Sequence, residues 1–181
     1  MIISTFSEEQ RQYIFDDILK NFETLATDKQ GLCVIKKLIE QTKSLKLRQL
    51  IVDILSKNVA MYVQNEYGNF VVSEVLQQYA YETCRDIYTN IKGLFVKLSQ
   101  NKYSSKFIEN SIEQAPVEKQ KEIIQEFVDS SNLEKVVESD FGNYVLQNTL
   151  KKYCHGCHDA KLDLIEAIID CLPNVSEYKI Q

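Results

Sequence analysis

Apolar residues recur with helical spacing in four stretches of the chain, and these stretches resemble one another. They read TDKQGLCVIKKLI, QNEYGNFVVSEVL, QNKYSSKFIENSI and ESDFGNYVLQNTL, and they lie about 36 to 38 residues apart. When they are aligned on Gly31, Gly68, Ser104 and Gly142, apolar residues fall mostly at offsets three, four, seven and eight, which share one face of a helix. A unit of this length copied along a chain is typical of a helical array.

The apolar stripe predicts which face of each helix packs in the core. Ser111 and Thr149 interrupt the stripe at offset seven, which predicts a looser or hydroxyl-capped layer in the last two copies. The apolar members, copy by copy, are Val34, Ile35, Leu38 and Ile39; Val71, Val72, Val75 and Leu76; Phe107, Ile108 and Ile112; and Val145, Leu146 and Leu150.

A residue with a side-chain oxygen stands three positions before each alignment residue. Such a side chain accepts hydrogen bonds from the free N–H groups at the start of a helix. A helix is therefore predicted to begin near each of these residues, which are Asp28, Asn65, Asn101 and Ser139.

Offsets one, two and five point roughly away from the stripe at about 100° per residue, and we call them the reader positions. Offsets one and five lie one turn apart and could hold the edge of a flat group, while offset two could cover its face. Flat groups with hydrogen-bonding edges, presented at a regular spacing, are the bases of a single-stranded nucleic acid. The reader positions hold Leu32, Cys33 and Lys36; Asn69, Phe70 and Ser73; Ser105, Lys106 and Glu109; and Asn143, Tyr144 and Gln147.

The strings EYGNFVV, KYSSKFIE and DFGNYVLQ resemble the second helices of Pumilio-type (PUF) repeats, and the resemblance extends from about Ser7 to about Cys171. It implies an all-α fold, a right-handed curved α-solenoid of three-helix repeats that run antiparallel to a bound RNA. In that family each repeat reads one base with two edge-gripping residues and stacks a third between adjacent bases. We expect residues 1–181 to form a single repeat domain of about four repeats, the C-terminal half of a longer array.

The resemblance also implies which bases the last two repeats read. Asn143 and Gln147 match the uracil-reading pair, with Tyr144 as the stacking ring, and two carboxamides suit the acceptor–donor–acceptor edge of uracil. Ser105 and Glu109 match the guanine-reading pair, since one carboxylate can accept from both N1–H and N2–H of guanine. The stacking position of that repeat holds Lys106.

The first two repeats match the family patterns less well. Asn69 and Phe70 fit a uracil reader, but Ser73 stands where Gln is expected, so uracil is favoured less sharply. No base is assigned to the first repeat, whose reader positions are Leu32, Cys33 and Lys36. Read backwards along the chain, the repeats imply 5′-UGU followed by an undetermined base.

The resemblance implies that the chain binds single-stranded RNA on a concave face, in the 3′ untranslated regions of messenger RNAs, and regulates them by recruitment, with protein effectors on the convex face. The alternative is an α-solenoid scaffold for protein–protein interaction, since Leu32 and Cys33 make one end of the inner face rather apolar. Catalysis has little support, because the chain has no glycine-rich phosphate loop and no nucleophile elbow. We expect no cofactor and no enzymatic activity.

The composition of the chain argues against some classes of function and some cellular locations. A net charge of −5 and a pI near 5.2 argue against a general polyanion binder, which needs broad basic patches. Acidic residues such as Glu118, Glu122 and Glu126 are expected on solvated faces of the connecting helices. No window is long and apolar enough to span a membrane and no signal peptide is evident, so a cytoplasmic location is expected.

The opening of the chain is predicted to close one repeat and lead into the next. Ser7 and Gln10 form a capping box, which predicts the start of a helix. The apolar face of that helix continues into the first full copy and holds Ile14, Ile18, Leu19 and Phe22.

A cysteine-rich segment, KKYCHGCHDAK, allows three interpretations. Cys154, Cys157 and His158 spell the C-x-x-C-H pattern of covalent haem attachment. The same residues, with His155 or Cys171, could bind zinc, although no second C-x-x-C pair supports this. We favour a loop insertion with reduced thiols, and expect Cys84 and Cys171 to be ordinary small buried residues.

Overall fold

The computed structural model of the chain describes residues 8–152 and 156–172, with side chains from residue 13 onward. Ser7 and Gln10 of the expected capping box therefore lie outside the described side chains. The first helix, α1 (Glu8–Lys20), carries the predicted apolar face, on which Ile18 is buried. The described residues form helices and connecting turns, and none of them lies in a β-strand.

Four three-helix repeats follow α1, each with a short first helix and longer second and third helices. They are α2 (Phe22–Ala26), α3 (Lys29–Gln41) and α4 (Leu45–Lys57); α5 (Val59–Gln64), α6 (Gly68–Gln78) and α7 (Tyr81–Asn90); α8 (Phe95–Ser99), α9 (Ser104–Gln114) and α10 (Val117–Val128); and α11 (Leu133–Glu138), α12 (Asp140–Lys151) and α13 (His158–Cys171). The second helices α3, α6, α9 and α12 pack side by side in one continuous row, which we call the inner row. The chain is thus the right-handed curved α-solenoid that the PUF resemblance implied.

The predicted caps mark the start of every inner helix. Asp28 accepts hydrogen bonds from the N–H groups of Gln30 and Gly31 at 2.9 and 2.8 Å, and these bonds hold the pKa of its carboxyl below the usual value. Asn65, Asn101 and Ser139 each accept the N–H of the alignment residue three positions on, at 2.9, 3.2 and 3.1 Å. The regular helix begins at the alignment residue itself in α6 and α9, and not directly after the capping residue.

The alignment residue is small because each short first helix lies against the start of the inner helix that follows it. A Cβ added to Gly31 would lie 2.3 Å from the carbonyl oxygen of Leu25, and one added to Gly68 would lie 2.5 Å from that of Tyr62. The third repeat has Ser104 here, and its hydroxyl instead donates to the carbonyl of Leu98 at 2.7 Å. All three carbonyls belong to the residue six positions before the alignment residue, so the contact is a property of the repeat.

The apolar stripe packs in the core, with one exception. Ten of its members are at most 1% exposed, Leu76 and Leu146 are also buried, and Leu150 is half-buried. Val34, which we expected in the core, is 41% exposed. Its counterparts at offset three in the later repeats are buried, and α3 is the first helix of the inner row, so no earlier inner helix covers it.

Hydroxyl groups fill the two interruptions of the stripe. Ser111 and Thr149 are buried, and their hydroxyls donate to the carbonyls of Phe107 and Val145, each at 2.8 Å. Tyr88 of α7 also donates its hydroxyl to the carbonyl of Ser111, at 3.0 Å. The predicted hydroxyl-capped layer is therefore present, and its polar groups are hydrogen-bonded inside the core.

The third helices form an outer row that is less continuous than the inner one. α4 packs on α7 and α10 packs on α13, but α7 and α10 face each other across a cleft of about 450 Å³. Glu126 was expected on a solvated face, yet its two carboxylate oxygens accept the N–H groups of Gly93 and Phe95 at 2.8 and 2.7 Å. Since Gly93 has a φ of 81°, the turn after α7 needs a glycine, and Glu126 fastens this turn to α10.

The close approach of first and second helices predicts the effect of a single methyl group. Gly68→Ala should lower the free energy of unfolding by about 1 to 3 kcal/mol, because the added Cβ overpacks a backbone contact that cannot move away. Urea unfolding followed by circular dichroism measures the change. Gln77→Ala, at an exposed position of the same helix, should change stability by less than about 0.5 kcal/mol. Equal stability of the two variants would contradict this account of Gly68.

Candidate nucleic-acid interface

The reader positions at offset two project from the inner row, as predicted. Phe70 is 50% exposed and Tyr144 is 65% exposed, and Cys33 and Lys106 are also exposed. Both rings stand at the same offset of the repeat, so the repeated geometry itself directs them away from the core. The two rings, carried by α6 and α12, are therefore placed where a planar ligand could stack on them.

Offsets one and five are less accessible in the middle of the row than the helical pattern predicts. Asn69, Ser73, Ser105 and Glu109 are all buried, whereas Asn143 and Gln147 in the last repeat are exposed. These offsets lie on the side of each inner helix that meets the next one, so α9 covers those of α6 and α12 covers those of α9. α12 is the last inner helix described, and its reader positions are uncovered.

The exposed pair in the fourth repeat forms an internal hydrogen bond. Gln147 donates through Nε2 to Oδ1 of Asn143 at 3.0 Å, and Lys151 donates to Oε1 of Gln147 at 3.4 Å. In this arrangement the Asn143 amide nitrogen and the Gln147 carbonyl oxygen point away from their mutual bond. A donor and an acceptor are thus offered side by side, next to the ring of Tyr144.

The carboxylate of Glu109 in the third repeat contacts side chains of its own repeat and of the next one. Its Oε2 accepts Nδ2 of Asn148 at 2.7 Å and lies 3.3 Å from Nζ of Lys106. The hydroxyl of Ser105, one turn before Glu109, lies 3.5 Å from the carbonyl oxygen of Lys102. The two residues predicted to read one base therefore lie on the same helical face, and a residue of the next repeat holds the acid.

The second and first repeats hold their reader side chains differently. Asn69 directs its amide nitrogen back to the carbonyls of Asn65 and Glu66, at 2.9 and 3.0 Å, so its donors serve the start of the helix. Lys36 forms an ion pair of 2.7 Å with Glu74 of the second repeat, and Gln78 donates to the other oxygen of Glu74 at 3.0 Å. The cation of the first repeat is therefore engaged within the protein.

Offset six is a position that the hydrophobic pattern alone did not single out. Lys37, Glu74, Asn110 and Asn148 occupy it, and it is polar in every copy. Glu74 contacts the offset-five residue of the repeat before it, and so does Asn148. The recurrence of polar residues on a flank of the apolar stripe was the available signal, but their partners lie 38 or 39 residues away and cannot be inferred from helical spacing.

Comparison with known proteins agrees with this geometry. A profile described as the Pumilio-family RNA binding repeat matches residues 2–19, 21–56 and 95–128. The last two ranges coincide with the first and third repeats of the structure. The chain therefore contains repeats of the Pumilio (PUF) family. The second and fourth PUF repeats fall outside the matched ranges, yet they have the same three helices, caps and glycine contacts.

Similar proteins are also named as Pumilio proteins. The chain is 27% identical over 163 residues to putative pumilio homolog 8, chloroplastic, of Arabidopsis thaliana, which covers 90% of this chain and 31% of the relative. It is 27% identical over 173 residues to a Pumilio domain-containing protein of Schizosaccharomyces pombe, covering 96% of this chain and 25% of the relative. The chain thus spans about a third or less of the length of these relatives.

Solved PUF structures share the fold. A Puf3 RNA binding domain bound to a Cox17 RNA 3′ UTR recognition sequence superposes with a TM-score of 0.77 at 24% identity, covering 97% of this chain and 49% of that one. PUF-8 in complex with PBE-RNA superposes with a TM-score of 0.82 at 22% identity, covering 95% and 51%. These likenesses establish the curved PUF solenoid as the architecture of the chain.

The cysteine-rich segment connects α12 and α13 of the last PUF repeat, as expected for a loop insertion. Cys154 and His155 lie outside the described residues, so the alternative interpretations as a haem or zinc site stay untested. Cys157 is buried, with its Sγ 3.5 Å from Oε1 of Gln120, and His158 is exposed. Within the part of the chain that the structure describes, no three His, Cys, Asp or Glu side chains are grouped to hold a metal.

The other two cysteines differ in burial. Cys84 is buried as expected, and burial raises the pKa of its thiol to about 12. Cys171 is only half-buried, in contrast to our expectation. None of the described helices is long and apolar enough to cross a membrane.

The contact between Lys36 and Glu74 should be measurable as a coupling between the first two repeats. Alanine substitutions, made singly and together, should give a coupling of about 1 kcal/mol. Hydrogen bonds to charged groups contribute more than this, but Lys36 is 38% exposed and therefore screened by solvent. Urea unfolding of the four proteins provides the cycle. The exposed pair Arg85 and Glu82 is the control and should couple by about 0.5 kcal/mol or less; equal coupling for the two pairs would refute a special role for Lys36 and Glu74.

Proposed function

We propose that the chain binds single-stranded RNA along the concave face formed by the inner row, one base per repeat, with a 5′-UGU core. Repeats of the chain match a family described as RNA binding repeats, and solved structures with the same fold are described as bound to RNA. The repeats run antiparallel to the RNA, so the fourth repeat takes the first uracil.

The observation that carries this proposal is the arrangement of the fourth repeat. Asn143 and Gln147 are joined by a hydrogen bond, exposed, and next to a tyrosine ring that is 65% exposed. Uracil presents an N3–H donor between two acceptors. The Gln147 carbonyl can accept the N3–H while the Asn143 amide donates to the acceptor beside it. Stacking on Tyr144 then covers the face of the base.

The third repeat supports a guanine at the next position. Glu109 is the one reader residue with a carboxylate, and two adjacent donors are a feature of the guanine edge. Ser105 lies one turn away on the same face, where its hydroxyl can contact the same base. Lys106 at offset two is exposed and can lie over the ring as a cation.

The remaining repeats contribute with less specificity. Phe70 supplies an exposed ring, and Asn69 with Ser73 favours uracil after Asn69 turns from its backbone partners toward the base. In the first repeat Lys36 is paired with Glu74, which leaves Leu32 and Cys33 as neutral contacts, and we assign no base to it.

In the cell, the proposed role is post-transcriptional regulation of cytoplasmic messenger RNAs through their 3′ untranslated regions. The Puf3 domain to which this chain is similar is described as bound to a 3′ UTR recognition sequence. In this proposal the RNA is regulated by effector proteins that are recruited to the convex face.

Fluorescence polarisation with a labelled oligonucleotide tests the proposal directly. The RNA should contain UGU in a pyrimidine context, and competitors should carry UAU, UUU or a scrambled order of the same bases. Preferential binding of UGU is the expected result. Binding that is weak and equal for all four would favour the alternative, a scaffold for protein–protein interaction.

Loss of the stacking ring should weaken binding without changing its specificity. Tyr144→Ala should cost about 1 to 3 kcal/mol of RNA binding free energy, the usual scale for one base stacked on an aromatic side chain. Tyr13→Ala is the matched control, because Tyr13 is 77% exposed but lies on α1, outside the inner row. If both variants bind UGU like the parent, Tyr144 does not stack on a base.

Replacement of the carboxylate should change which base is preferred. Glu109→Gln keeps the shape of the side chain and can still accept from Asn148, but its amide must direct a donor at one of the guanine donors. The preference for UGU over UAU and UUU should fall by about 1 to 3 kcal/mol, the value of one good bidentate base contact. A competition titration measures the ranking, and an unchanged ranking would mean that Glu109 does not read the middle base.

A further inference from the structure

The carboxylate of Glu109 is held by a side chain from a different repeat. Asn148 of α12 donates through Nδ2 to its Oε2 at 2.7 Å, although the two residues are 39 positions apart. The direction of this bond is fixed by chemistry, since a carboxylate has only acceptors and the Asn148 amide must donate. Glu109 is 8% exposed and Asn148 is half-buried, so the bond is sheltered from water.

A second contact of the same oxygen is weaker. Lys106 lies 3.3 Å from Oε2, and its side chain is 58% exposed. A long, exposed lysine loses conformational freedom when it pairs and is screened by solvent, so such pairs add little. Asn148 has a short side chain on a packed helix, and it therefore restrains the carboxylate more than Lys106 does.

We propose that Asn148 is a positioning residue for base selection, which sets the orientation of Glu109 and so sharpens the guanine preference of the repeat before its own. This inference rests on the proposed function. Guanine offers two parallel N–H groups in the plane of the base, and a carboxylate accepts both well only when its own plane is aligned with them. A bond at Oε2 fixes that plane before RNA arrives, which reduces the entropy lost on binding.

The same connection occurs elsewhere in the array. Lys36 at offset five of the first repeat contacts Glu74 at offset six of the second, at 2.7 Å. Glu109 and Asn148 occupy the same two offsets in the third and fourth repeats. In these two pairs of repeats the offset-six residue of the later repeat reaches back to the edge-reading residue of the earlier one, so base selectivity there depends on two neighbouring repeats.

Two variants of Asn148 test the proposal. Asn148→Ala removes the donor, and Asn148→Asp keeps the shape but places a second carboxylate against Glu109. Asn148→Ala should reduce the preference for UGU over UAU by about three- to tenfold, the effect of freeing one side chain with several rotamers. Asn148→Asp should reduce the preference further, because like charges in contact repel.

The control variant and the readouts separate this role from a structural one. Asn132→Asp adds the same charge at an exposed position outside the inner row and should leave the base ranking unchanged. Affinities for UGU, UAU and UUU are measured by competition, and thermal unfolding by circular dichroism shows that each variant is folded. The Asn148 variants should bind UAU about as well as the parent does.

The outcomes distinguish failure of the proposed function from failure of the positioning role alone. A parent protein that does not prefer UGU contradicts the proposed function itself. A parent that prefers UGU, with the same ranking in both Asn148 variants, overturns the positioning role alone. Equal loss of affinity for all three RNAs in the variants also overturns it, because Asn148 would then act on the fold or on the first uracil.

Discussion

The contact on which this array depends is the approach of each short first helix to the start of the inner helix that follows it. At that point there is no room for a Cβ in the first two repeats, and Ser104 is accommodated in the third by donating its hydroxyl to the opposing carbonyl. The contact fixes how far each inner helix is rotated about its own axis. Because one face of the helix is thereby directed into the core, the reader positions are directed away from it, and the location of the proposed RNA-binding surface follows from this rotation.

Most of the fold could be predicted from the sequence because its determinants are local. The caps at Asp28 and Ser139, the small alignment residues and the apolar stripe each lie within one helix and repeat along the chain. What local patterns could not supply is the effect of neighbours. Val34 is exposed because α3 is first in the row, and Glu126 is bonded because the turn at Gly93 lies against α10.

The candidate site could be located but not fully described in advance. Helical spacing placed Ser105 and Glu109 on one face, and the structure agrees. The same spacing predicted that both side chains would be exposed. They are buried, because the helix that covers them, α12, belongs to another repeat. Both cations at the reader positions, Lys36 and Lys106, lie against glutamates of the same row. The surface therefore carries little unbalanced positive charge, so hydrogen-bonding edges and stacked rings would determine affinity rather than attraction to phosphate.

The break in the outer row has a mechanical consequence. α6 and α9 are packed along the inner row, whereas α7 and α10 are separated by a cleft that the Glu126 carboxylate spans through Gly93 and Phe95. A solenoid that is closed on one side and open on the other bends most easily at that junction, about an axis along the closed side. Widening of the cleft would tighten the curvature of the array and bring the second and third repeats closer at their inner surface, while the two hydrogen bonds of Glu126 act as a tether that limits the bend. The spacing between the proposed base sites would then be elastic at one defined joint, which would give the array a means of following an RNA whose bases are not evenly spaced.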